Sequence, residues 1–425
     1  MPKNKRPVPR QSHVPAGEED EVLAQALADL ALELAEREGD DDDDGASARA
    51  TETETDTATG DGGAAFAVKD SELTRLIRNA LRKKNDEVLY GAIERARYAD
   101  VGAYQLLRAR IEEAAGTVLL RREGAAPMEI NAFALPLFVH STGGLQQAAD
   151  FADPEAFELL VDSLKQAGLE SPDAKVVMIS HAYDLEEIDR ITYSHLQDMV
   201  RDAAGSMTEK KLVARPALER SLSGWAPGSF GAGDKAVELR FLLGFALKAE
   251  TDPFYQAPPD EAGADAFFEA RMARYRAWTV QADALVRRCL ALEPAAIGVH
   301  FLYQDLFFGA KEQGLAELAM LQMMSDINAA LLRANAAPGA VHAIAGPADV
   351  DDEMVLRVNL YAGTAPGGAL LASSDKPLDL AADLQTEVDD ICDALSTIGI
   401  EQVSVCLKFD RDGQAVQAQP YAPGD

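Results

Sequence analysis

Cysteine is scarce. The chain has three in 425 residues, Cys289, Cys392 and Cys406, and no two of them form a CxxC pair. That excludes a disulfide framework and a cysteine-based zinc site, and it predicts a reducing, cytoplasmic setting. Basic side chains are also in deficit, with 40 Lys plus Arg against 71 Asp plus Glu and a formal charge of −31. Nucleic-acid binding rests mostly on cationic neutralisation of phosphates, so this balance argues against it. Aromatics make up only 6% of the chain, while 47% hydrophobic residues fit an ordinary globular core joined to a polar segment. Long apolar runs are missing too, none approaching the roughly 20 residues that span a bilayer. The nearest N-terminal stretch, 22–34, carries Asp29 and Glu33 and follows a run of acids, unlike a signal peptide. No membrane contact is expected.

What is present begins with an acidic leader. Residues 1–66 hold 17 acidic and 6 basic side chains, including the run Asp40 to Asp44 and the stretch TETETDTATGDGG. Such a composition buries too little apolar area to offset backbone ordering, and disorder is predicted. Within it, Leu23, Leu27, Leu30 and Leu34 recur on one helical face. Residues 20–38 therefore read as a short amphipathic helix that folds into a groove, on its own body or on a protein partner. In the following helix, Arg75, Arg78 and Arg82 share a face, with Lys83 and Lys84 beside them. That face is expected to be solvated, or to take an anion such as the folded-back run Asp40 to Asp44.

The body, 67 onward, divides by pattern. Residues 67–126 read as a helical module, and 127–234 as a first β-α-β-α segment built on INAFALPLFVH and KVVMISH. Residues 235–425 read as a second β-α-β-α segment, with strands AVELRFLLGFALKA and AIGVHFLYQ, followed by a C-terminal ββαββ unit. The loop DRDG suits a hairpin closed by a left-handed glycine. The fold class is α+β with α/β character and a mixed sheet, and the alternation predicts parallel neighbours in the first segment. Two domains are the default for this length, with one large α/β unit as the alternative.

The helical piece AYQLLRARIEEAA followed by the strand FALPLFVH resembles an uncharacterised family of proteobacterial proteins of unknown function over about residues 86–140. The resemblance implies a bacterial source and carries over no site.

Chemistry-bearing residues are few. GSFGAGDK at 228–235 has the glycines of a phosphate loop, but Asp234 stands where the lysine belongs and a strand follows, so the reading fails. Asp349, Asp351, Asp352 and Glu353, and separately Asp410 and Asp412, fit turn solvation better than a calcium site. In RMARYRAW, the spacing of Phe268, Met272, Tyr275, Trp278 and Leu285 marks a core stripe rather than a base-stacking platform. Of the six histidines, His13 lies in the leader, His195 on a predicted helix, and His300 and His342 inside strands as satisfied core imidazoles.

His140 and His181 differ, because both end predicted strands joined by a helix. Were those strands parallel neighbours, both imidazoles would reach one rim, where open α/β sheets bind ligands. Ser141, Thr142, Tyr183 and Asp184 would stand beside them, with Tyr303 and Asp305 joining from the second segment. Such a set supplies a general base with an orienting acid, or two imidazole ligands for a metal. No catalytic motif accompanies it, and no cofactor or bound metal is expected. The favoured function is therefore a cytosolic bacterial protein-binding or accessory protein acting through its acidic N-terminal segment. The alternative is a small-molecule site or enzyme at the strand ends around His140, His181, Tyr183 and Asp184.

Overall fold

The computed structural model describes residues 17–47, 61–121, 123–141, 151, 153–208, 237–258, 260–290, 297–302, 307–351, 353–364, 368–378 and 384–422. The chain divides into two compact units, Met1–Gly314 and Leu315–Asp425. The block 235–425, read from sequence as one region, is divided by this boundary.

The first unit opens with four helices: α1 (Glu18–Ser47), α2 (Asp61–Arg82), α3 (Asp86–Ala99) and α4 (Val101–Gly116). Asp100 starts α4, its carboxylate accepting from the Ala103 amide at 2.8 Å. Helix α1 contains the amphipathic helix expected over 20–38 and seats it on the chain's own body, against α3 and α4. Its buried stripe is Ala24, Leu27, Ala28, Ala31 and Leu34, packed against α3 and α4. Leu27 and Leu34 are fully buried, each contributing about 1.5–3 kcal/mol of transfer free energy. The leucine spacing marks this face, and the alanines between the leucines widen it. Leu23 and Leu30 are only half-buried at its margin.

The unit's sheet contains β1 (Thr117–Leu120), β2 (Met128–Ser141), β3 (Lys175–Tyr183), β4 (Val237–Ala249) and β5 (Ile297–Phe301). Its order is β1-β2-β4-β3, with β5 paired to β2, and every pairing is antiparallel. The predicted parallel neighbours are therefore not formed: β4, far downstream in sequence, lies between β2 and β3. Helix α5 (Pro154–Gln166) and α8 (Glu261–Leu290) cover one face, where Leu135, Leu137, Val139, Ala182 and Leu242 meet Leu160, Tyr275, Trp278 and Val286. The Tyr275 and Trp278 half of the predicted stripe is in this core, with Trp278 Nε1 donating to Ser163 Oγ at 2.7 Å. Phe268, two turns earlier, is 54% exposed and leaves it. Gly244 has no room for a side chain, since a Cβ there would stand 2.3 Å from the Phe133 ring across the strand pair. A bulge interrupts β3 between Met178 and Ala182. After β3 come α6 (Leu185–Asp189) and α7 (Tyr193–Thr208), which contacts β1, β2 and β4.

Helix α9 (Phe307–Ala334) carries the chain from one unit into the next. By length and composition alone 309–334 is long and apolar enough to cross a membrane, as the core helices of globular proteins also can be. Met323, Ile327, Ala330 and Leu331 on it are buried in the second unit's core.

The second unit is a five-stranded sheet in the order β12-β9-β6-β7-β8. Its strands are β6 (Val341–Val350), β7 (Glu353–Ala362), β8 (Leu370–Pro377), β9 (Val403–Val405) and β12 (Gln419–Pro420). Only β6 and β9 are parallel, so this sheet is the mixed one. Helix α10 (Leu384–Thr397) packs Ile391, Cys392 and Leu395 on one face, against Val341, Ala343, Leu356 and Val358. A small hairpin of β10 (Lys408–Phe409) and β11 (Ala415–Val416) brings Phe409 and Ala415 to the cluster of Ile344, Ala348 and Val355 on the opposite face. Its turn is the expected one: Gly413 has φ of 74°, and the Asp410 carboxylate accepts from the amides of Asp412 and Gln414. The fold is a mixed α+β architecture with an N-terminal helical module, β-α-β-α segments and a C-terminal mixed β/α unit.

Candidate functional site

The two histidines expected to share a rim stand far apart along the sheet. His181 lies in the β3 bulge, level with Leu242 to Gly244 of β4 and so with Phe133 to Leu135 of β2. His140 pairs with Val237, five residues further along β2. Strand rise and the two inter-strand spacings put their Cα atoms about 20 Å apart. Strand β5 runs antiparallel to β2, so its carboxyl end leads away from His140 rather than toward it. Thr142, Tyr303, Asp305 and the glycine-rich piece 228–235 lie outside the described residues, and Ser141 is placed only as the last residue of β2.

Three of the expected residues are brought together: His181, Tyr183 and Asp184. The sequence YDLEE ends β3 and starts α6 with a reciprocal cap. Asp184 accepts from the Glu187 amide at 2.9 Å, and the Glu187 carboxylate accepts from the Asp184 amide at 2.9 Å. The same carboxylate lies 3.1 Å from His181 Nε2. The contact orients the ring, with Nε2–H as the donor wherever the carboxylate is ionised. The Tyr183 ring stands edge-on to the imidazole, 4.6 Å between centroids.

Beside this corner, Arg240 and Glu238 project from the same face of β4 and form a buried ion pair, with Asp184 Oδ2 at 3.6 Å from Arg240 Nη1. The Arg240 side chain is 3% exposed and that of Glu238 8%. Sequence reasoning missed Glu187, Glu238 and Arg240, although two charges at i and i+2 in the apolar strand VELRFLLG signal a buried pair. Taking two charges out of water demands close mutual pairing, and this cluster supplies it.

A second polar layer ties the helical module to α7 and α9. Asp86 accepts from Thr192 Oγ1 and the Ser194 amide, both at 2.9 Å, and from Ser194 Oγ. The Tyr90 and Tyr193 rings meet at a tilt, 5.1 Å between centroids; burial, then Asp86, Asp189 and Glu87, raises the Tyr90 phenol above its ordinary range, and burial, then Tyr90, Glu112 and Glu312, raises that of Tyr193. Glu112 accepts from the Gly309 amide in the first turn of α9, and Arg108 pairs with Glu312.

The remaining expected sites are plainly placed. Arg75, Arg78 and Arg82 are exposed on α2, Arg75 near Glu72 at 3.4 Å and Arg82 donating to Asn79. Helices α1 and α2 are antiparallel, because Asp20 meets Asn85 and Glu33 meets Lys69. Arg82 thus lies beside the start of α1, and Asp40 is about 30 Å further along that helix. The folded-back acid run does not reach the basic face. His195 is on α7 as expected, its Nδ1 3.2 Å from the Arg190 carbonyl. His300 is exposed rather than in the core, and His342 is buried without a partner rather than satisfied. Among the described residues no three His, Cys, Asp or Glu side chains converge on a metal position.

Chemically, the corner at the end of β3 is a carboxylate-oriented imidazole beside a tyrosine. Among the described residues no serine, threonine or cysteine side chain bonds that imidazole. No family model, curated protein or solved structure matches the chain.

Proposed function

We propose that this chain is a cytosolic bacterial binding or accessory protein that recognises a basic protein segment through the outer face of α1. One observation carries the reading. Leu27 and Leu34 of α1 are buried in its own helical module, which leaves Glu18, Asp29 and Glu36 exposed along one line of the helix, with Glu19 exposed beside its start. The leucines 23, 27, 30 and 34 are then scaffold, and the acids are the contact. A preorganised row of like charges attracts a cationic partner at little conformational cost, and salt screens it over a Debye length of about 10 Å at 0.1 M.

The test is a quantitative pull-down from bacterial lysate with full-length protein and with Glu18, Glu19, Asp29 and Glu36 changed together to lysine. Loss of a salt-sensitive partner in the variant is the expected result; unchanged recovery sinks the reading. Leu34→Ala serves as the control for scaffold damage, with an expected loss of about 2–5 kcal/mol in denaturant unfolding.

A second reading, a small-molecule site at the end of β3, is favoured by the Glu187–His181 contact alone. Turnover of a metabolite that disappears in His181→Gln establishes it over the first.

A further inference from the structure

Strand β6 sends alternate side chains to opposite faces of the second unit's sheet. Val341, Ala343 and Ala345 point under α10, while His342 and Ile344 point the other way. His342 is 5% exposed, and neither Nδ1 nor Nε2 has a hydrogen-bond partner. Directly across on β7 stands Tyr361, and Asn359 faces Ile344. Asn359 is 2% exposed. Its amide nitrogen donates to Tyr361 Oη at 3.2 Å and to the Gly413 carbonyl at 3.1 Å. Both donors are used, which fixes the orientation of the amide and leaves Oδ1 buried with no partner.

Buried polar atoms are almost always paired, because leaving one dry forfeits its hydration for nothing. Here three such atoms belong to residues that are diagonal neighbours on one sheet face, with Cβ atoms about 7–8 Å apart. On the same face of β7, Arg357 is neutralised by Asp375 through two bonds of 2.7 and 2.8 Å. A ligand charge would therefore be buried without a counter-charge. The imidazole offers an N–H donor in every tautomer, and Asn359 offers a carbonyl acceptor. Their complement is a planar group with a carbonyl beside an N–H.

We propose that the sheet face bearing His342 and Asn359 is a binding site for a small uncharged molecule of the carboxamide or urea class. The site lies in the second unit and is independent of the α1 reading.

The experiment uses full-length protein labelled with 15N-histidine, with His342→Phe identifying the His342 signals. Acetamide is titrated, and sodium acetate at the same concentrations is the charged comparator. A saturable shift of the His342 nitrogens with acetamide is expected, with no matching response to acetate and at least tenfold weaker binding in Asn359→Leu. Tyr361→Phe keeps the ring but removes the acceptor that orients the Asn359 amide. It covers the case in which Asn359→Leu does not fold, and at least threefold weaker binding is expected. The proposal is overturned by no saturable shift, by an equal response to acetate, or by unchanged affinity in the variant that folds. A crystal structure in saturating acetamide showing both nitrogens bonded to ordered water only overturns it equally.

Discussion

His181 and His342 are both strand residues largely withdrawn from water, yet their surroundings are opposite. At His181 a carboxylate fixes the ring and also caps the next helix, and an arginine–glutamate pair lies alongside. At His342 the neighbours are a tyrosine and an asparagine, and neither ring nitrogen is bonded. The contrast teaches that perturbing chemistry does not by itself mark a site. A polar cluster whose charges are paired contributes to conformational uniqueness, whereas a buried ring with neither nitrogen bonded costs stability.

The comparison breaks most sharply at Arg240. Arg240→Met leaves the Glu238 carboxylate buried without its cation, and a loss of about 3–5 kcal/mol is expected in urea unfolding. Adding Glu238→Gln restores part of it; no recovery means that the pair is not mutually dependent. Next, Glu187→Gln removes the charged partner of His181, at an expected cost of about 1–3 kcal/mol. A double-mutant cycle with His181→Phe is expected to give a coupling of about 1 kcal/mol, and zero coupling would dissolve the contrast between the two imidazoles. His342→Phe has the opposite sign: a gain of about 1 kcal/mol, because a buried group without a partner is replaced by one that needs none.

A last contrast, common to both units, is in alkaline stability. Burial raises the thiols of Cys289 and Cys392 to about 12 and that of Cys406 to about 11, from an ordinary 9.0. Folding favours the neutral thiols, so their stabilisation is complete below 9.0 and is lost as pH rises from 9.0 through the folded-state values. Urea midpoints are expected to agree at pH 7 and 8 and to fall by pH 10.5, with thiol alkylation tracking unfolding at each pH. Cys289 reports on the first unit and the other two on the second.

Much of the fold was legible because periodicity is local. The strands around INAFALPLFVH, KVVMISH and VELRFLLG, and the DRDG hairpin, declare themselves within ten residues. Strand order does not. Nothing in β2 or β3 announces that a strand some 55 residues further on inserts between them, and the expected His140–His181 pair fell with that one fact. In the leader the leucine spacing announced the helix over 20–38, while Ala24, Ala28 and Ala31, which complete its buried face, carry no such signal. At the β3 corner, His181, Tyr183 and Asp184 were readable as strand-end polar residues. Glu187 was hidden in a helix start, and Arg240 and Glu238 in what reads as an apolar strand.

The insertion of β4 bears on synthesis. While the ribosome has released only residues up to about 208, β2 has an antiparallel neighbour in β1, but β3 has none. Both await a single later segment, so the open edges of a nascent chain stay unsatisfied until Val237–Ala249 emerges. A chain arrested before that point is expected to be a chaperone client, and one arrested shortly after it to resist protease.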